Sequence, residues 1–256
     1  MSEKLLELRN INKSFGTISA LKSVSLYVGK EEIVGLLGDN GAGKSTLIKT
    51  ISGVHSPDTG EIWLRGKKIQ RWDVATARFS GIETVYQDRA LARQQTIVDN
   101  IFMGREIVNR FGFVDQRKQV AEAHRLMREI GFTSALLSPY SQVLTLSGGE
   151  QQGIAIARAL YFNAELILLD EPTTALSLHE TYKVFGFARK ARDEGSSILF
   201  ISHNIYHAWD LCDRFIILDR GTVTMQVSKE EMGSAEELIR TMEEVARSGK
   251  VAGRHA

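Results

Sequence analysis

The chain has one cysteine, Cys212, in 256 residues. An intramolecular disulfide is therefore excluded, and with it the disulfide-framed secreted folds; a reducing compartment is expected. Blocks of five like charges are also missing, and 32 Lys and Arg against 31 Asp and Glu leave a net charge of +1. Charge draws no nucleic-acid footprint, so no nucleic-acid partner is expected. No apolar run approaches the roughly 18 residues that span a bilayer, and the opening MSEKLLELRN lacks a signal peptide's apolar stretch. The expectation is a cytoplasmic protein that meets a membrane only through a partner.

What is present suits one globular domain with an inserted subdomain: 43% of residues are hydrophobic. Strand-like runs, LLELRNI, VSLYV and EIWL, dominate up to about Trp72, interrupted by a helical pattern at Leu47, Ile48 and Ile51. TIVDNIFMG and VDQRKQVAEAHRLMREIG have helical spacing, with Gly131 as the C-cap of the second. ELILLD, SSILF and RFIILD then read as strands of a parallel sheet covered on both faces. The fold class is α/β, with a strand-rich flap. A last amphipathic helix carries Leu238, Ile239, Met242 and Val245 on one face, and a polar tail from Ser248 is expected to be disordered.

Two stretches are built to receive anions. GDNGAGKS follows an apolar strand and precedes a helix, placing Gly38, Gly43, Lys44 and Ser45 at GxxxxGKS spacing. Glycines let successive N–H groups turn toward one phosphate, and the helix start adds its positive end. Lys44 supplies charge to the outer phosphates and Ser45 a hydroxyl for Mg²⁺. The second stretch, LSGGEQQGIAIARAL, sets Ser147, Gly148 and Gly149 at the head of a helical pattern. The plain alternative for this Gly-Gly is a helix-initiating turn.

Other residues stand at strand ends, where ligand sites of open α/β sheets lie. Asp170 and Glu171 close AELILLDEP: Asp170 is placed to hold Mg²⁺, Glu171 to orient or deprotonate a water, although acids there also serve as helix caps. His203 ends SILFISHN and suits a γ-phosphate; a lone histidine is also an ordinary surface residue. Gln87 ends IETVYQ and offers a neutral oxygen to Mg²⁺ or water.

Taken in order, GDNGAGKS, VYQD, LSGGEQ, ILLDEP and ISHN resemble the Walker A, Q-loop, signature, Walker B and H-loop of ABC-type ATPases, over about Leu5 to Val227. The resemblance implies a P-loop fold: a RecA-like core with an antiparallel β flap and an inserted helical subdomain. It implies segments 1–87 (flap and P-loop core), 88–160 (helical subdomain with signature), 161–227 (core with Walker B and H-loop) and 228–256 (C-terminal helix and tail). It implies ATP and Mg²⁺ as ligands, with nucleotide at Gly38, Asp39, Asn40, Gly41, Ala42, Gly43, Lys44, Ser45 and Thr46. Phe15 would stack on adenine; as an isolated aromatic it equally reads as core. Ser147, Gly148, Gly149 and Glu150 would close over the ATP of a second copy packed head to tail, which gives two cradles in one chain a twofold-symmetric purpose. Gln87 would link hydrolysis to a transmembrane permease, which a solute-binding protein supplies.

One departure stands out: the family usually reads SALD after Walker B, whereas this chain has TALS, with Ser177 at the aspartate position. GDNGAGKSTLIK and EPTTALS look most like ATPases of bacterial monosaccharide importers, which often carry two fused copies where this chain has one. Two other readings stay open. A soluble ABC ATPase acting on DNA or the ribosome would usually show a coiled-coil insertion or a charged linker, and neither is present. A non-hydrolysing ATP sensor sits poorly with Glu171. Finally, Ile97, Ile101, Phe102 and Met103 either form an apolar surface for a permease helix or pack the insert's own core.

Overall fold

Two long strands open the chain, β1 (Lys4–Phe15) and β2 (Ile18–Gly29), antiparallel across a turn at Gly16. A computed structural model describes residues 3–87, 90–131, 137–162 and 164–248. In it, β4 (Thr59–Leu64) pairs with the free edge of β1 and β5 (Lys67–Lys68) with β4, giving a four-stranded sheet in the order β2-β1-β4-β5. Leu6, Leu8, Ile11, Leu21, Val24 and Ile62 are buried on its inner side.

The second sheet has the order β10-β9-β3-β8-β7-β6. Five strands are parallel: β3 (Ile33–Leu37), β6 (Ile82–Val85), β7 (Leu166–Asp170), β8 (Ser197–Ser202) and β9 (Arg214–Asp219). The edge strand β10 (Thr222–Ser228) is antiparallel to β9. Alternate residues feed opposite faces: Val34, Leu36, Leu168, Leu199 and Ile216 pack under the flap, while Ile33, Leu37, Ile167, Phe200 and Phe215 pack the other way. This double burial is why these strands read as continuous apolar runs.

Helix α1 (Lys44–Ile51) sits on the flap side, through Leu47, Ile48 and Ile51; α2 (Val74–Phe79) precedes β6. The opposite face is covered by α6 (Leu178–Asp193), α7 (Ile205–Leu211) and α8 (Ala235–Ser248), the last burying Leu238 and Val245 with Ile239 and Met242 half-buried. The tail from 249 onward lies outside the described residues.

A third cluster joins α3 (Ile97–Phe102), α4 (Gln116–Glu129) and α5 (Gly148–Tyr161). Ile97, Ile101 and Phe102 are at most 1% exposed and pack against Leu126, Met127, Ile154 and Ala157. Of the two readings of these residues, packing of the insert's own core is the one the structure has: the small helical unit buries Ile97, Ile101 and Phe102, and of the four only Met103 is exposed. Exposed apolar side chains stand instead at Val108, Phe111, Phe113 and Val114, on a loop pinched by a Val108–Val114 bridge. The cap of α4 is Ile130, with Gly131 one position beyond it at φ +79°.

Candidate active site

The parallel strands deliver their loops to one edge of the sheet. From β3, every residue of which is buried, the chain leaves through Gly38. A Cβ at Gly38 would lie 2.2 Å from the Leu218 carbonyl, and one at Gly43, where φ is +107°, would lie 2.8 Å from the Ala20 carbonyl. Between them Ala42 accepts a hydrogen bond from the Gly221 N–H at 2.8 Å, so flap, loop and β9–β10 turn brace one another. Gly43 is the N-cap of α1, no side chain caps this helix, and its first turn has no acid. The helix start therefore presents N–H groups and the positive end of its dipole. Lys44 is 7% exposed, its ammonium held over the loop by the Gly38 and Asp39 carbonyls at 2.5 and 3.1 Å. Asp39, Asn40, Gly41 and Ser45 are exposed and Thr46 is half-buried.

Strand β7 ends in Asp170, and the chain turns sharply at Glu171, whose φ is +50° and whose N–H donates to the Ile201 carbonyl at 3.0 Å. A glutamate in the left-handed region is uncommon and marks a position fixed by its surroundings. That backbone aims the side chain at His203, past the end of β8: Glu171 Oε2 and His203 Nδ1 are 2.7 Å apart. The Thr174 hydroxyl donates to the same oxygen at 3.4 Å. The carboxylate is sheltered, with the Glu171 side chain 10% exposed, while His203 is 60% exposed. A neutral His203 donating from Nδ1 keeps an acceptor on Nε2; protonated, it donates from both. Gln87 is exposed two residues beyond β6. In the sheet β8 lies next to β3 and β7 one strand further, all three parallel, so Asp170, Glu171 and His203 leave the same edge as the glycine loop.

Phe15, at the end of β1, is 45% exposed and so does not belong to the core. Its ring meets His55 edge-on at 5.1 Å, with the Lys13 ammonium 5.6 Å from its centre.

The second cradle is differently furnished. Ser147 caps α5 and forms a capping box with Glu150: Ser147 Oγ accepts from the Glu150 N–H at 3.2 Å, and Glu150 Oε2 from the Ser147 N–H at 2.7 Å. Gly148 opens the helix, and the Gly149 N–H donates to Glu180 Oε1 at 3.1 Å. Helix α5 packs on α3, α4, α6 and β6, whereas α1 packs on β2 and β7. Glu180, His55, Lys13 and Thr174 also line these sites without belonging to any of the motifs. Of these, only Glu180 carries a local signal, the capping-box pattern SLHE.

The ABC transporter family matches residues 21–174. The chain is 44% identical over 247 residues to the xylose/arabinose import ATP-binding protein XylG of Sulfolobus acidocaldarius, covering 96% of each. It is 37% identical over 240 residues to the ribose import ATP-binding protein RbsA of Caldanaerobacter subterraneus subsp. tengcongensis, covering 94% of this chain and 48% of that one; it thus spans about half of such relatives. Among solved structures, a nucleotide-free ATP-binding cassette from an ABC transporter superposes with a TM-score of 0.79 at 24% identity, over 98% of each chain. A dimeric cassette in a post-hydrolysis state, bound to ADP and Pi, gives 0.76 at 27% identity, over 88% of this chain and 99% of that one. With both anion cradles, the acid and histidine at the strand ends, and these likenesses together, the chain belongs to the ABC transporter family as an ATP-binding cassette.

Proposed function

We propose that the chain binds and hydrolyses ATP to drive monosaccharide import through a separate permease. The observation that carries the reading is the Glu171–His203 pair at the edge of the sheet that holds the glycine loop. Likeness to the XylG and RbsA import proteins supports the cargo class.

In this mechanism the β- and γ-phosphates rest on the N–H groups of the loop and of the α1 start, with the Lys44 ammonium over them. Phe15 takes the adenine ring. Ser45, Gln87 and Asp170 offer a hydroxyl, an amide oxygen and a carboxylate, hard oxygen donors of the kind Mg²⁺ takes, and would hold it beside the phosphates. Bound there, Mg²⁺ supplies charge neutralisation to the phosphates. Glu171 orients a water whose oxygen attacks the γ-phosphorus; the bond to the β–γ bridging oxygen breaks, ADP leaves, and the water proton passes to the carboxylate. His203 holds Glu171 in place and meets the γ-phosphate.

The second cradle serves another copy. Ser147 and Gly149 sit on a helix that shares its hydrophobic cluster with α3 and α4, whereas α1 belongs to the cluster under the flap. A head-to-tail pair would bring each signature to the other chain's glycine loop, with the permease engaging near Gln87 and the 88–160 subdomain. The complex would lie on the cytoplasmic face of the membrane, receiving solute from a binding protein on the other side.

Mixing two disabled variants tests this. Lys44→Ala and Gly149→Asp should each be inactive as homodimers, and a random mixture should recover about a quarter of wild-type sites, because mixed dimers gather both lesions in one site and leave the other whole. No recovery, combined with a persistent monomer of Glu171→Gln in ATP by light scattering, would refute shared sites.

A further inference from the structure

At the start of α5, a carboxylate of the chain already lies on an amide that the proposed function gives to the γ-phosphate. Glu180 Oε1 accepts from the Gly149 N–H at 3.1 Å. The approach is so close that a Cβ at Gly149 would stand 2.1 Å from that oxygen. The other oxygen, Oε2, accepts from the Ser177 N–H and from the Ser177 hydroxyl, both at 2.9 Å. One carboxylate thus joins the starts of two helices, α6 by one oxygen and α5 by the other. The hydrogen bonds from Ser177, backbone first and then hydroxyl, together with that from Gly149, hold the Glu180 carboxyl below the ordinary glutamate range, so it is an anion at neutral pH.

Ser177 gains a purpose here. Its hydroxyl donates to Glu180, whereas an ionised aspartate at this position can only accept and would repel the carboxylate. The serine and the glutamate form a matched pair, and the pair reaches the signature helix.

We propose that Glu180 competes with the γ-phosphate, holding the Gly149 N–H until the nucleotide of a second copy displaces it. The proposal rests on the head-to-tail reading above. One N–H does not serve two anions well, and Glu180 already compensates the positive end of the α5 dipole. Release has a landing place: Lys183, one turn along α6, lines with Glu180, Gly149 and Ser147 a groove of about 580 Å³ between α4, α5 and α6. The effect is a threshold, in which the signature closes only on an anion stronger than the chain's own.

The test uses the Glu171→Gln chain with Mg²⁺ and ATP, and light scattering as a function of ATP concentration. Adding Glu180→Gln keeps a capping-box side chain at the start of α6 while removing the negative charge. The half-saturating ATP concentration for dimerisation should fall by roughly three- to tenfold. Adding Ser177→Ala instead weakens the same helix start but leaves the carboxylate free to sit on Gly149, and should not lower the threshold. An unchanged or raised threshold in Glu180→Gln, or an equal shift in both variants, would overturn the proposal and leave Glu180 a helix cap. If Glu171→Gln alone fails to dimerise in ATP, the shared-site reading falls first, and the proposal with it.

Discussion

The two anion cradles of this chain are built to opposite rules. The glycine loop before α1 leaves its helix start without a side-chain cap or a first-turn acid, and braces the loop with backbone: Leu218 against Gly38, Ala20 against Gly43, Gly221 on Ala42. The start of α5 is satisfied from within, by the Ser147–Glu150 box and by Glu180 on Gly149. An open cradle takes a phosphate without giving anything up. A filled one exchanges one anion for another, so its occupancy depends on what competes. Under the function and the threshold proposed above, the first cradle captures the nucleotide and the second closes on it conditionally.

Three substitutions break or sharpen that contrast, in descending size. Glu171→Gln keeps the hydrogen-bonding shape beside the open cradle and removes the base; turnover should drop roughly 10²- to 10⁴-fold with nucleotide binding retained. Phosphate release and equilibrium binding measured on one preparation would check it, and unchanged turnover would remove Glu171 from the reaction. Gly38→Ala pushes a methyl into a backbone carbonyl of the central sheet, 2.2 Å away. A loss of about 3 kcal/mol and a fall in Tm of roughly 5 to 10 °C are expected. Gly149→Ala meets a side chain and no backbone, with Oε1, Cδ and Cγ of Glu180 at 2.1 to 2.7 Å, so Glu180 must swing aside and leave the Gly149 N–H; a helical alanine, worth up to about 1 kcal/mol relative to glycine, offsets much of that cost. Its stability should stay within about 1 kcal/mol of wild type by urea unfolding. A cost as large as that of Gly38→Ala would mean that the second cradle is as rigidly braced as the first.

What the sequence disclosed follows the range of the forces involved. The strands β7, β8 and β9 were readable because each is a short apolar run bounded by polar residues, and the glycine loop because all its parts are contiguous. The antiparallel turn into β10, at Arg220 and Gly221 with φ of +45° and +83°, had a local signal in DRGT. The Glu171–His203 bond joins residues 32 apart, and the Glu180–Gly149 bond residues 31 apart. Neither is written in any window short enough to show a period. The face of α3 was unreadable for another reason: six residues make fewer than two turns, so an apolar IVDNIF does not say which side meets α4 and α5.

The Lys44 side chain carries a consequence for the thermodynamics of nucleotide capture. A free lysine side chain has roughly 2 kcal/mol of rotamer entropy to lose on being fixed. Here the ammonium is pinned by the Gly38 and Asp39 carbonyls, with the residue 7% exposed, so most of that disorder is already gone in the folded chain. Ordering the charge belongs to folding and not to association. Calorimetry should accordingly show little entropic penalty from this residue when a phosphate arrives, and the binding strength of the loop is tied to the same backbone carbonyls that shape it.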